Sequence, residues 1–182
     1  PLYDPAMFKL ACLNGNAPQD LLIRLIDEDV LDDDLRTSLA ACAKGEALQT
    51  KLAGDRLASV AAGLIFNPSL LPRVRAKLLE EGKSSIKQAF AKHPELPESE
   101  QLLLLTNASA ALKATLSKHP RLSAAIQMRL AQDPEQEVRV KLASNPILSR
   151  EVQQVLAGDL RYPVRRSLSE NPGLSLDESH KL

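Results

Sequence analysis

The chain has 182 residues, 23 Lys and Arg against 23 Asp and Glu, 44% hydrophobic residues, and 3% aromatics with no tryptophan. That length allows one substantial core, while zero net charge and few aromatics disfavour nucleic acid, whose grooves need a strong positive field and stacking platforms. No apolar run reaches the ~18–20 residues of a membrane span, Pro1–Leu10 lacks the basic head and apolar stretch of a signal peptide, and two cysteines make no disulfide framework, so a reduced, cytoplasmic setting is expected.

In chain order, Asp4-Pro5-Ala6-Met7-Phe8-Lys9 looks like the second half of a unit that recurs complete as Asp133-Pro134 followed by Val138-Arg139, shifted by one residue. The chain is therefore expected to start in mid-repeat, and to be a segment of a longer protein or to carry an extra contact at that end. Residues 1–45 read as degenerate units. Leu21, Leu22, Leu25 and Ile26 make the apolar face of one helix, and Leu35-Arg36 with Leu39-Ala40 that of the next, with one residue inserted before it. Between them Asp27–Asp34 holds six acids in eight residues. It lacks the glycine at the sixth place and the glutamate at the twelfth of an EF-hand loop. It is read as a solvated acidic loop running into a helix start, where carboxylates are favoured. Charge is uneven: residues 1–60 hold 6 Lys/Arg and 10 Asp/Glu, residues 61–182 hold 17 and 13.

Residues 46–174 repeat with a period of 26. Asn67-Pro68, His93-Pro94, His119-Pro120, Asn145-Pro146 and Asn171-Pro172 stand in register. Further columns run Asp29, Asp55, Glu81, Asn107, Asp133, Asp159; Ile26, Leu52, Leu78, Leu104, Leu130, Leu156; and Val60, Ile86, Leu112, Val138, Val164. Each unit reads as two helices. The first starts after Leu-Ser or Leu-Pro (Leu71-Pro72, Leu96-Pro97, Leu122-Ser123, Leu148-Ser149), with Ser123 and Ser149 as N-caps. In the last full copy Val152, Val155 and Leu156 fall on one face at i, i+3, i+4. Gly54 and Gly158 suit a left-handed helix end. The second helix is short and stops at Asn-Pro, where Asn tolerates the left-handed cap and proline restrains its predecessor. One pair cannot bury its apolar face alone and stacked pairs can. The expected fold is all-α: a single solenoid domain over residues 1–182 of about six 26-residue helix pairs, with residues 175–182 as a short cap or frayed tail.

The string Leu130-Ala131-Gln132-Asp133-Pro134, Val138-Arg139, Leu142-Ala143 and Asn145-Pro146 resembles the leucine-rich repeat variant family and is similar to HEAT repeats. The resemblance covers roughly residues 46–174, and 4–45 less closely. It implies a right-handed superhelix that serves as a protein-binding scaffold. Some members of the variant family add a cysteine-rich iron–sulfur segment, which Cys12 and Cys42 alone do not support.

Candidate functional residues follow from the columns. Lys87, Lys113, Arg139 and Arg165 each stand six residues after Glu81, Asn107, Asp133 and Asp159. A basic stripe for an acidic partner is one reading. The favoured reading is a structural ladder, with Asp133, Arg139, Asp159 and Arg165 tying turn to helix within and between units. His93 and His119 share one slot, but Asn fills it elsewhere, and neighbouring units lie a helix diameter apart, ~10 Å; a turn-forming role is expected rather than metal. Cys12 and Cys42 read as buried thiols, and His180 is uninformative. No phosphate-binding loop, nucleophile elbow, His-Glu-x-x-His or Cys-x-x-Cys is present. No catalytic residue, cofactor or metal is expected. Partner-binding candidates are Lys141, Arg150, Gln153, Gln154 and Arg166, at variable positions expected to be exposed. The expected function is a non-catalytic protein-interaction scaffold. The alternatives are a nucleic-acid-binding or DNA-glycosylase-like HEAT-type module, recognisable by a deep basic groove around a buried carboxylate, and a purely structural segment of a larger chain.

Overall fold

The computed structural model describes Leu10, Leu13, Asn14 and residues 17–174. The expectations for Asp4–Lys9, Cys12, residues 175–182 and His180 lie outside them. Among the described residues there are helices and no strands. The chain divides into two compact units, Pro1–Ala89 and Phe90–Leu182.

The first unit contains α1 (Gln19–Asp27), α2 (Asp33–Cys42), α3 (Glu46–Ala53), α4 (Ala58–Ile65) and α5 (Pro72–Glu81). Helix α6 (Ser84–Ala91) carries the chain onward. The second unit contains α7 (Glu98–Leu105), α8 (Ala110–Leu116), α9 (Ala124–Ala131), α10 (Gln136–Ala143), α11 (Arg150–Ala157) and α12 (Tyr162–Ser169). Helices this short are marginal in isolation, so packing must sustain them. In the first unit α1 packs on α3 and α3 on α5, while α2 packs on α4. In the second, α7, α9 and α11 form one succession of neighbours and α8, α10 and α12 another, and each pair also touches internally. First helices thus lie beside first helices and second beside second.

The 26-residue apolar columns fill the space between these rows. Leu52, Leu130 and Leu156 from first helices and Val60, Val138 and Val164 from second helices are all at most 1% exposed. Each such side chain contributes about 1.5–3 kcal/mol of burial. Val155 departs from the expected face: it is exposed on α11, and the apolar stripe is Val152 and Leu156. Ser123 and Ser149 take the N-cap place, their hydroxyls accepting from Ile126 N and Val152 N. Asp32 and Ser109 do the same for α2 and α8.

Two turn expectations need correction. Gly54 and Gly158 sit at φ −92° and −87°, so neither needs a left-handed conformation; their amides close the turn onto Lys51 and Gln154 carbonyls. Asn67, Asn145 and Asn171 are not left-handed either. Positive φ among the described residues falls at Asp29, Asn107 and Gly45. What holds the asparagines is their side-chain bonding.

Candidate functional site

Three columns of polar side chains bond one helix pair to the next. The first is the Asn/His column. Asn145 Nδ2 donates to the Ser117 and His119 carbonyls at 2.8 and 3.1 Å, one pair back, and its Oδ1 accepts from Ile147 N. Asn171 repeats this on Ala143 and Asn145, and Asn67 on Ala40 and Ala43. His119 substitutes for asparagine atom by atom: Nε2 lies 2.8 Å from the His93 carbonyl and Nδ1 accepts from Arg121 N. That geometry requires the neutral Nε2–H tautomer. His119 is 2% exposed, so the ring serves the turn. No group of three or more His, Cys, Asp or Glu able to hold a metal exists among the described residues.

The second column consists of glutamines at Gln49, Gln101, Gln127 and Gln153, all buried in the first helices. Gln127 Nε2 donates to Leu122 O in its own pair and to Ile147 O in the next, while Oε1 accepts from Ser149 N. Gln49 bridges Ala43 O, Ser69 O and Leu71 N in the same way. Gln153 joins Leu148 O to Gly173 O. Gln101 joins Leu96 O to Arg121 O, but its Oε1 is a buried acceptor with no donor. This column was missed in the sequence. Its signal was a glutamine recurring at multiples of 26 residues within apolar faces, as in Leu48-Gln49, Ile126-Gln127 and Val152-Gln153, with Arg75 at the one intervening position.

The third column is ionic. Arg139 donates from Nε and Nη2 to both carboxylate oxygens of Asp159 at 2.6 and 3.2 Å, and from Nη1 to the backbone carbonyls of Asp133 and Pro134. Lys113 reaches Asp133 at 2.7 Å, and Arg36 reaches Asp55 at 2.8 Å. Arg165 bonds the Asp159 carbonyl at 2.7 Å. The ladder expected from the six-residue spacing is therefore present but reads differently. Lys113 and Arg139 pair with the acid twenty residues ahead and Arg36 with the acid nineteen ahead, whereas Arg139 and Arg165 take only the backbone oxygen of the acid six residues behind.

The electrostatics follow the geometry. The Asp159 hydrogen bond raises the Arg139 guanidinium above its ordinary value, outweighing partial burial. Burial by itself pushes the Asp159 carboxyl upward. Hydrogen bonds from Arg139 and the Arg161 amide, with the charges of Arg139 and Arg165, outweigh burial and hold it below the usual carboxylate range.

All six acids of the acidic run are exposed and the run enters α2 at its Asp32 cap, as expected, while Asp27, Asp29 and Asp33 also pair with bases. Arg36 joins Asp29 at 2.6 Å, Arg56 bridges Asp29 and Asp33, and Lys51 pairs with Asp27. Cys42 is half-buried, its thiol directed at the Ser38 carbonyl, and burial raises its pKa.

The five partner-binding candidates do not converge. Gln153 is corrected outright: it is 5% exposed and bonded across pairs, because its helix position points between the two rows. Arg150 and Gln154 are exposed on α11, in the first-helix row. Lys141 is half-buried on α10 and Arg166 exposed on α12, in the second-helix row. Arg166 bonds Glu170 at 3.0 Å, which raises its guanidinium pKa. Comparisons with protein-family models, with curated proteins and with solved structures find no match to this chain. No described helix is long and apolar enough to cross a membrane.

Proposed function

We propose that the chain is a HEAT- or LRV-like α-solenoid of about six helix pairs that works as a non-catalytic protein-interaction scaffold. The observation that carries this reading is a division of labour between columns. Positions that keep their chemistry from pair to pair are buried and bonded to the next pair. Exposed positions change from pair to pair, as in Glu98, Ala124 and Arg150, or Leu103, Arg129 and Val155. A repeat array binds through such variable positions on a constant frame.

The first-helix row of the second unit supplies the contact surface. Leu102 and Leu103 on α7 and Val155 on α11 are 42%, 43% and 39% exposed, with Gln154 next to Val155 in sequence and Arg150 at the start of the same helix. Large apolar side chains interleaved with arginine and amide groups are the composition of protein-binding surfaces. The test is affinity capture on the full chain, comparing wild type with Leu103→Glu and Val155→Glu. A salt-resistant protein partner lost in both variants, with the far-UV circular dichroism spectrum unchanged, is the expected result. Retention of every protein in both variants, or recovery of nucleic acid in a salt-sensitive manner, would overturn the reading.

A further inference from the structure

The ionic column lacks its base at one place. Ala61 on α4 stands where Arg139 stands on α10, and Glu81 stands twenty residues ahead, where Asp159 does. A methyl group cannot span that distance. In its place the first unit has an open cleft of ≈ 310 Å³ whose lining includes Asp55, Arg56, Ala61, Leu78, Glu81 and Ile86. That volume falls at the lower end of small-ligand pockets, about 300–1,000 Å³.

The cleft is lined by the residues equivalent to those that hold a guanidinium elsewhere in the chain. Arg139 is held by the carbonyls of Asp133 and Pro134 and by the Asp159 carboxylate. Their positional equivalents are the carbonyls of Asp55 and Arg56 and the Glu81 carboxylate, all belonging to residues that line the cleft. Leu57, Leu78 and Ile86 supply an apolar wall for an aliphatic stem. Lys77 and Lys83 also line the cleft, but both are exposed, so their flexible ammoniums can turn to solvent. The Arg56 side chain is committed to Asp29 and Asp33.

We propose that this cleft receives an arginine side chain from a protein partner, which completes in trans the rung that Ala61 leaves open. Arginine fits better than lysine because a planar fork can meet two carbonyls and a carboxylate together, whereas an ammonium is a strongly hydrated point charge. The inference rests on the scaffold reading for its partner, but the slot itself can be tested without one.

The experiment titrates the full ¹⁵N-labelled chain with acetyl-arginine-amide, with acetyl-citrulline-amide as the uncharged control of the same shape. Saturable amide shifts at Asp55, Arg56, Glu81 and Gly82 are expected with arginine only. Glu81→Gln should weaken the apparent affinity about fivefold, as expected for one exposed charge pair. Ala61→Arg, which supplies the guanidinium in cis, should abolish the shifts and raise the melting temperature. Equal shifts with citrulline, no saturable shift, or undiminished shifts in a folded Ala61→Arg variant would overturn the proposal. Should Ala61→Arg fail to fold, unchanged affinity in Glu81→Gln overturns it alone. A partner still captured by wild type and by Glu81→Gln alike would remove the slot and leave the scaffold reading intact.

Discussion

Replacing Gln127 by leucine tests whether the glutamine column holds the helix pairs together. The change keeps side-chain size and strands three groups: the Leu122 and Ile147 carbonyls and the Ser149 amide. At the lower end of the cost of an unpaired buried group, about 1 kcal/mol each, the loss is about 3 kcal/mol. The leucine's own burial offsets about 1 kcal/mol, leaving a net destabilisation of about 2 kcal/mol. Gln101→Leu is the internal comparison. There only the Leu96 and Arg121 carbonyls lose a donor, and an orphaned buried Oε1 disappears with them. Removing that orphan recovers about 1 kcal/mol, so the substitution should be close to neutral. Gln132→Leu, at an exposed helix end, should stay within about 0.5 kcal/mol of wild type. Urea unfolding followed by far-UV circular dichroism measures all three at constant m. Equal costs at Gln127 and Gln101, or a cost at Gln127 no larger than at Gln132, would refute the reasoning.

Three further outcomes follow from the other columns. Arg139→Ala strips a guanidinium from two carbonyls and from the carboxylate of Asp159, and should cost about 3 kcal/mol, or roughly 6–12 °C in melting temperature. Unchanged stability with loss of a binding activity would instead restore the basic-stripe reading. His119→Asn should keep most of the stability because asparagine already fills the slot at 67, 145 and 171, whereas His119→Ala should lose about 2 kcal/mol; equal losses on thermal melting would show that the ring does more than mimic an amide. The Asp159 carboxyl is held below its unfolded value of about 3.9. Its contribution is therefore present above about pH 4 and lost as pH falls through the lower native value. Asp159→Asn should flatten that part of the acid limb in melts between pH 5 and pH 2, a window of about three units around the ordinary carboxylate value, and an unchanged limb would count against it.

The sequence by itself determined the helices and their pairing. A leucine, a valine or a capping serine recurring every 26 residues marks the same structural place each time, because a helix pair of fixed length returns each apolar position to the same side of the core. The capping roles of Ser123 and Ser149 could be read the same way, since an N-cap is a local interaction within one turn. The polar columns were legible as columns but not as bonds. Asn145 and Asn171 looked like turn formers, Asp133 and Arg139 like partners six residues apart, and Gln153 like a surface residue. Tertiary structure decided otherwise, for one physical reason. Each side chain bonds across about 20 to 28 residues to a neighbouring pair, and periodicity cannot say which neighbour a buried donor will meet. The same limit hid the cleft at Ala61. An alanine in a basic column is a small departure on the page, and it becomes a space lined by Asp55, Arg56 and Glu81 only once α4 and α5 both pack on α3.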